Sequence, residues 1–229
     1  MADQPPLARR VAAEGLGAFL LFATVIGSGI MAESLSHSND AIALLANTVA
    51  TAAMLFVLIT IFGPISGAHM NPAVSLVATS RGELGWRDGA LYVLAQFACG
   101  ILGAWAAHLM FELPTLQLSV KARTGLGQWT GEAVATFGLI LTILGTVRHR
   151  PRWVPGTVAL YIAAAYWFTS STSFANPAIT VARSLSNSFA GIAPGNVPVF
   201  ILAQLIGAGL GAVAAAYMFP PGGEAKPHE

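Results

Sequence analysis

His69-Met70-Asn71-Pro72-Ala73-Val74-Ser75-Leu76-Val77-Ala78 is matched later in the chain by Phe174-Ala175-Asn176-Pro177-Ala178-Ile179-Thr180-Val181-Ala182-Arg183. Each copy reads as a helix start. Asn is a favoured N-cap because its side-chain oxygen accepts from the orphan amides of the first turn, and Pro suits the first helical position, where no amide donor is needed. The apolar pattern then lasts about two turns, far short of the ~20 residues that a bilayer-spanning helix needs. Paired, Pro-marked half-helices in corresponding parts of an apolar chain point to a pathway at the bilayer midplane, where irregular backbone is tolerated if it lines a cavity.

Composition agrees with a membrane setting. The chain has 229 residues, of which 55% are hydrophobic and only 9% charged, against ~25% charged in ordinary soluble domains. A net charge of +1 without a dense basic run argues against a nucleic-acid partner. The single cysteine, Cys99, cannot build a disulfide or a thiolate metal site within one chain. No metal site and no cofactor are expected.

Working outward from the two motifs, the apolar stretches predict spans at 11–32, 41–63, 89–111 and 128–147, a fifth beginning near 153, and a sixth at about 199–219. The first, preceded by Arg9 and Arg10, could be read as a secretory leader. Its length, the Glu14 inside it and the spans that follow favour a retained helix. Pro64 should end the second span. The uncharged run 153–182 is long for one helix, so Ser170-Ser171-Thr172-Ser173 and the Asn-Pro that follows should divide it.

The two halves repeat. Glu14 recurs as Glu132, Asn71 as Asn176 and Gln96 as Gln204, at offsets of 118, 105 and 108. Each half, about 8–112 and about 128–219, therefore reads as span, span, half-helix, span within a single membrane domain. An odd number of spans per half inverts the second copy, and the half-helices then enter from opposite faces. Arg9, Arg10, Arg81, Arg87, Arg148, Arg150, Arg152 and Lys226 fall on one side and Lys121, Arg123 and Arg183 on the other. By the positive-inside rule both termini are cytoplasmic. The positive dipole ends of the half-helices then meet at the midplane, which raises the barrier for cations. Asn71 and Asn176, their oxygens used as caps, should offer free amide N–H groups to a passing solute oxygen. This is the chemistry of a passive conduit for small neutral hydroxylated molecules.

The doubled Asn71-Pro72-Ala73 and Asn176-Pro177-Ala178, the Ser66-Gly67-Ala68-His69 lead-in, and the Glu14/Glu132 and Gln96/Gln204 pairs resemble the aquaporin, or major intrinsic protein, family. The resemblance implies an all-α fold of six tilted helices and two half-helices, one pore per subunit and a homotetramer in the cell inner (plasma) membrane. It also implies that Glu14 and Glu132 hold the half-helix loops by hydrogen bonds, although an intramembrane acid could serve as a proton relay. By the family's spacing, the constriction falls at Thr51, Ala164, Ser173 and Ile179. The family normally carries Arg where Ile179 stands, an aromatic at the position of Thr51, and Asp in glycerol-type members at the position of Thr180. The filter should therefore be wide and neutral. Thr-Ser-Phe-Ala-Asn-Pro-Ala is similar to the aquaporins associated with bacterial arsenic resistance, so trivalent metalloid acids, including methylated forms, are the expected solutes, with water or glycerol also admitted.

His69 is expected in the cytoplasmic vestibule. Arg183, two helical turns from Asn176 and thus about 10 Å away along the axis, is the weaker candidate for the outer mouth. A general water or glycerol channel and an inverted-repeat secondary transporter are the rival readings. An enzyme is not expected, since neither Ser75 nor Ser173 has a His or Asp partner in the sequence pattern.

Overall fold

The computed structural model describes residues 5–220; the polar tail at 221–229, with Lys226 and His228, lies outside the described residues. The elements are α1 (Leu7–Leu35), α2 (Asp40–Ser66), α3 (Pro72–Ser80), α4 (Trp86–Met110), α5 (Leu126–His149), α6 (Val154–Phe168), α7 (Pro177–Ser184) and α8 (Val197–Met218). The described residues contain no strand, and the order long, long, short, long occurs twice. Five of the helices are long and apolar enough to cross a membrane.

The fifth predicted span, α6, is only 15 residues, or roughly 22 Å at 1.5 Å per residue. A 3-10 turn, Pro151–Trp153, precedes it, and the Ser/Thr run stops it: Thr169 is extended and Thr172 and Ser173 have left-handed backbone. Pro64, expected to end the second span, instead lies inside α2. It removes one backbone bond close to the helix end, and the helix stops three residues later at Gly67, whose φ of +89° makes a left-handed cap.

Both half-helices begin as the motif requires. The Asn71 side-chain oxygen accepts from Ala73 N–H (2.9 Å), and that of Asn176 from Ala178 N–H (3.0 Å) and Ile179 N–H (3.3 Å), with Pro72 and Pro177 at the first helical position. The loops leading in share one backbone pattern. Gly67, Ala68 and Met70 have positive φ, and so do Thr172, Ser173 and Ala175 at the same distances before the second Asn. Such residues cost on the order of 1–3 kcal/mol each and persist only where the surroundings hold them.

Packing crosses the halves. The first half's last span, α4, and the second half's last span, α8, each pack against both half-helices. α1 lies on α4, and α5 lies on α8, at backbone-contact distance. A Cβ on Gly103 would strike the Phe19 carbonyl, and one on Gly211 would come within 2.6 Å of the Phe137 carbonyl. Elsewhere the small partner changes sides: Gly15 of α1 receives Cys99 of α4, whereas Gly207 of α8 receives Ala133 of α5. Cys99 is thereby a packing residue.

This contrast predicts opposite signs for two neighbouring substitutions. Gly207→Ala should destabilise by about 1–3 kcal/mol because the α5 backbone cannot yield, whereas a methyl on Gly209 meets nothing within 4 Å. Gly209→Ala should stabilise by up to ~1 kcal/mol through helix propensity. Thermal unfolding in detergent followed by circular dichroism separates them, and equal shifts would refute the contact. The outer faces carry exposed Leu45, Phe56, Leu102, Leu160 and Leu210, an apolar exterior suited to lipid rather than water.

Candidate functional site

A cavity of about 260 Å³ runs past both motifs. One wall is apolar and comes from four spans: Leu21 and Val25 of α1, Leu55 and Ile59 of α2, Leu139, Ile140, Ile143 and Leu144 of α5, and Val158 and Ile162 of α6. The facing stripe is the two loops and half-helix starts, including Gly67 to Asn71 and Ser173 to Asn176. Polar groups thus line one side of an otherwise greasy passage. That arrangement lets a solute trade some hydration for directed hydrogen bonds while excluding bulk water.

Two buried carboxylates hold the polar stripe in place. Glu14 Oε1 accepts from Ser66 Oγ (2.7 Å) and His69 N–H (2.9 Å), and its Oε2 from Met70 N–H (2.6 Å) and Gln96 Nε2 (2.8 Å). Glu132 does the same in the second half, accepting from Phe174 N–H (2.8 Å), Ala175 N–H (2.9 Å) and Gln204 Nε2 (2.6 Å). Each Gln also donates to a hydroxyl four residues after the motif Asn, Ser75 at 3.0 Å or Thr180 at 2.9 Å. These partners use the carboxylates as fixed acceptors for loop amides.

The Asn amides are less free than expected. Asn71 Nδ2 donates to the Ala175 carbonyl (2.7 Å) and Asn176 Nδ2 to the Met70 carbonyl (2.9 Å), so each motif is tied to the loop of the other. One N–H of each amide is thereby occupied, and the second remains for a solute, since the group carries two. The reciprocal bonds also show that the half-helix N-termini face each other.

Thr51, Ser173 and Ile179 line the cavity, as do His69 and Arg183. Ala164 does not: it is exposed on the outer side of α6. The helix instead turns Ile162 and Tyr166 inward, and Tyr166 Oη donates to Thr51 Oγ1 at 3.3 Å. Sequence spacing chose the wrong face because the count passes through the irregular Ser/Thr stretch. Ser173 Oγ is buried without a partner among the described residues. His69 Nδ1 lies 3.1 Å from Ser75 Oγ, and its ring meets Tyr92 edge-on at 5.6 Å. His108, by contrast, is a structural residue. Its Nδ1 donates to the Thr115 carbonyl at 3.0 Å, and its Nε2 lies 2.9 Å from Ser186 Oγ.

The expected outer mouth is the most basic part of the site. Arg123 is buried and donates to the carbonyls of Gly191 (2.8 Å) and Ser171 (3.2 Å). Burial pushes its guanidinium down to about 10, still charged at neutral pH. Burial, then Arg123 and Arg183, lowers Lys121 below the usual lysine range, while its Nζ donates to the Phe189 carbonyl at 2.9 Å. Arg183 is 2% exposed and lies over the Phe174 ring, 3.4 Å from its centroid. Tyr166, Phe174 and Arg123 were not singled out as pore residues by sequence, though Phe174 stands inside the second motif's lead-in.

The sequence description of the family "Major intrinsic protein" matches residues 1–214. The chain belongs to the major intrinsic protein family. It is 58% identical over 202 residues to aquaglyceroporin AqpS of Rhizobium meliloti (strain 1021), covering 88% of this chain and 86% of that protein. It is also 29% identical over 209 residues to the probable aquaporin TIP2-1 of Oryza sativa subsp. japonica, covering 86% and 82%. Its fold matches the X-ray structure of the aquaglyceroporin from Plasmodium falciparum with a TM-score of 0.71, at 18% identity, over 95% of this chain and 97% of that one. This member of the major intrinsic protein family is a multi-pass membrane channel and not an enzyme.

Proposed function

We propose that this channel is a passive pore with a wide filter for small uncharged oxygen-bearing solutes, and that trivalent metalloid acids such as arsenite and antimonite, and their methylated forms, are its principal cargo. Water and glycerol pass as well. The observation that carries the reading is Ile179, an apolar residue lining the cavity directly after the second Asn-Pro-Ala. With no guanidinium at that level, a hydroxylated molecule larger than water has room, and a methylated face can rest on Ile179 and the opposite apolar wall. Ser173 Oγ and the spare N–H of each motif Asn supply polar contacts on the other side. The similarity to a protein named as an aquaglyceroporin supports a solute broader than water.

In this reading the motif residues Asn71, Pro72, Ala73, Asn176, Pro177 and Ala178 set the midplane of the pore. Thr51, Ser173 and Ile179 form the constriction with Tyr166, which takes the place of Ala164. The protein is a single aquaporin-like domain that works as a homotetramer in the plasma membrane with both termini cytoplasmic. The test is flux of arsenite into proteoliposomes, followed by arsenic content after rapid filtration. Uptake should be fast, driven by the concentration gradient and unsaturated at millimolar solute. Uptake no faster than into protein-free vesicles overturns the metalloid assignment, and saturation coupled to a proton gradient would favour a transporter.

A further inference from the structure

A guanidinium buried inside a membrane protein without an acidic partner needs an account, because removing an unpaired charge from water is costly. Two such groups, Arg123 and Arg183, lie against one ring, with Phe174 centred 5.0 Å from the first and 3.4 Å from the second. Neither is in an ion pair among the described residues, where only Arg10–Asp88 and Arg81–Glu83 occur. Glu132 acts on both through space, but its oxygens are already occupied by the loop amides and Gln204.

Arg123 and Arg183 differ in how they are used. Arg123 has all three nitrogens directed at loop oxygens, those of Gly191, Ser171, Thr172 and Phe189. Arg183 directs only its Nε–H to the Ala190 carbonyl. Its two terminal NH2 groups have no partner among the described residues, and the side chain lines the cavity beside Ile179. The register explains how it gets there. Residues four apart share a helix face, and side chains lean toward the helix N-terminus. Arg183 therefore reaches back over the turn that carries Ile179, and the Phe174 face fixes it there by a cation–π contact.

We infer that Arg183 is the specificity-determining cation of this pore: set one turn beyond Ile179 and braced by Phe174 and the Ala190 carbonyl, it excludes cations and offers its free NH2 groups to solute oxygen. Width and charge are thereby separated. The level of Ile179 decides what size and apolar character pass, and the level above it decides what charge passes. In a pore with a single filter arginine the two properties are joined in one side chain.

The inference rests on the channel assignment but not on the metalloid cargo, so its test uses other solutes. Purified full-length protein in liposomes is assayed for Na+ and proton leak under an imposed potential, with water flux measured on the same vesicles as the index of folded channels and glycerol flux as a separate readout. The unmodified channel should leak no more Na+ than empty vesicles; free Na+ passage overturns the inference at once. Arg183→Gln keeps a donor for the Ala190 carbonyl but loses the charge, and its cation leak per conducting channel should rise at least roughly tenfold. Arg183→Lys should hold the leak near the original level while lowering glycerol flux. Ile179→Arg combined with Arg183→Gln should bring the leak back down. A Gln variant that conducts water without added cation leak, or a double variant that still leaks, overturns the proposal.

Discussion

Glu132→Ala should abolish the conducting channel, because it strands the structure on which the outer half of the pore is built. Phe174 N–H, Ala175 N–H and the Gln204 amide would be buried without their acceptor. At about 1–3 kcal/mol for each unsatisfied donor, the loss is roughly 3–9 kcal/mol, a large share of the ~5–15 kcal/mol that holds a typical domain. The left-handed residues Ser173 and Ala175 lose their restraint at the same time. Reconstituted water flux, glycerol flux and thermal midpoint should therefore fall together, and Glu14→Ala should behave alike, since Glu14 receives four donors. Stopped-flow light scattering beside a melting curve is the check. A Glu132→Ala protein that melts normally and conducts water normally would show that the acid is not a strut. A variant that folds and conducts but loses only proton-coupled movement would restore the relay reading.

What made the fold legible in the sequence was the coincidence of chemical types across the repeat. Glu, Asn and Gln recur at nearly equal offsets, and each turned out to act on the same local partners in both halves. Pro64 was misread because a proline near a helix end costs only one backbone bond, whereas a proline in mid-helix breaks the rod. Ala164 was misread for a different reason. Its position was counted back through Thr169 to Ser173, where the chain is neither helical nor extended in a regular way, so residue number no longer tracks angle around α6. Arg183 was underrated by measuring along the helix axis from backbone to backbone. A long side chain that leans toward the N-terminus closes much of that distance. Tyr166 carried no such signal, since an aromatic in an apolar span is equally at home in a core or at the lipid boundary.

The cross-bonds between the motifs could have been anticipated from polarity alone. Met70 and Ala175 occupy left-handed backbone just before each Asn, which leaves their carbonyls outside any helix ladder and in need of donors. Among the described residues, the donor that reaches each is the opposite Asn amide. A free pair of NH2 groups would have left two buried carbonyls unpaired, and the half-shared arrangement satisfies both while keeping one N–H of each Asn for the solute.

Ile179→Arg should reduce glycerol and arsenite flux at least about tenfold, equivalent to a barrier increase of about 1.4 kcal/mol, while leaving water flux far less affected. The new guanidinium would stand at the level where the cavity is bounded by Thr51, Tyr166 and Ser173, one turn inside Arg183 on the same face of α7. It would fill space that a solute of several heavy atoms needs and that a single water does not. It would also donate hydrogen bonds to water, so the narrower passage stays wettable. Two cations four residues apart repel, and Arg183 has only one anchoring hydrogen bond to resist displacement toward the mouth. The water-to-glycerol permeability ratio, taken from paired stopped-flow traces on the same vesicles, isolates the size effect from any change in the number of channels. A ratio that stays constant while both fluxes fall would mean that Ile179 does not border the narrowest point, and the constriction would then have to be sought deeper, between the motif asparagines.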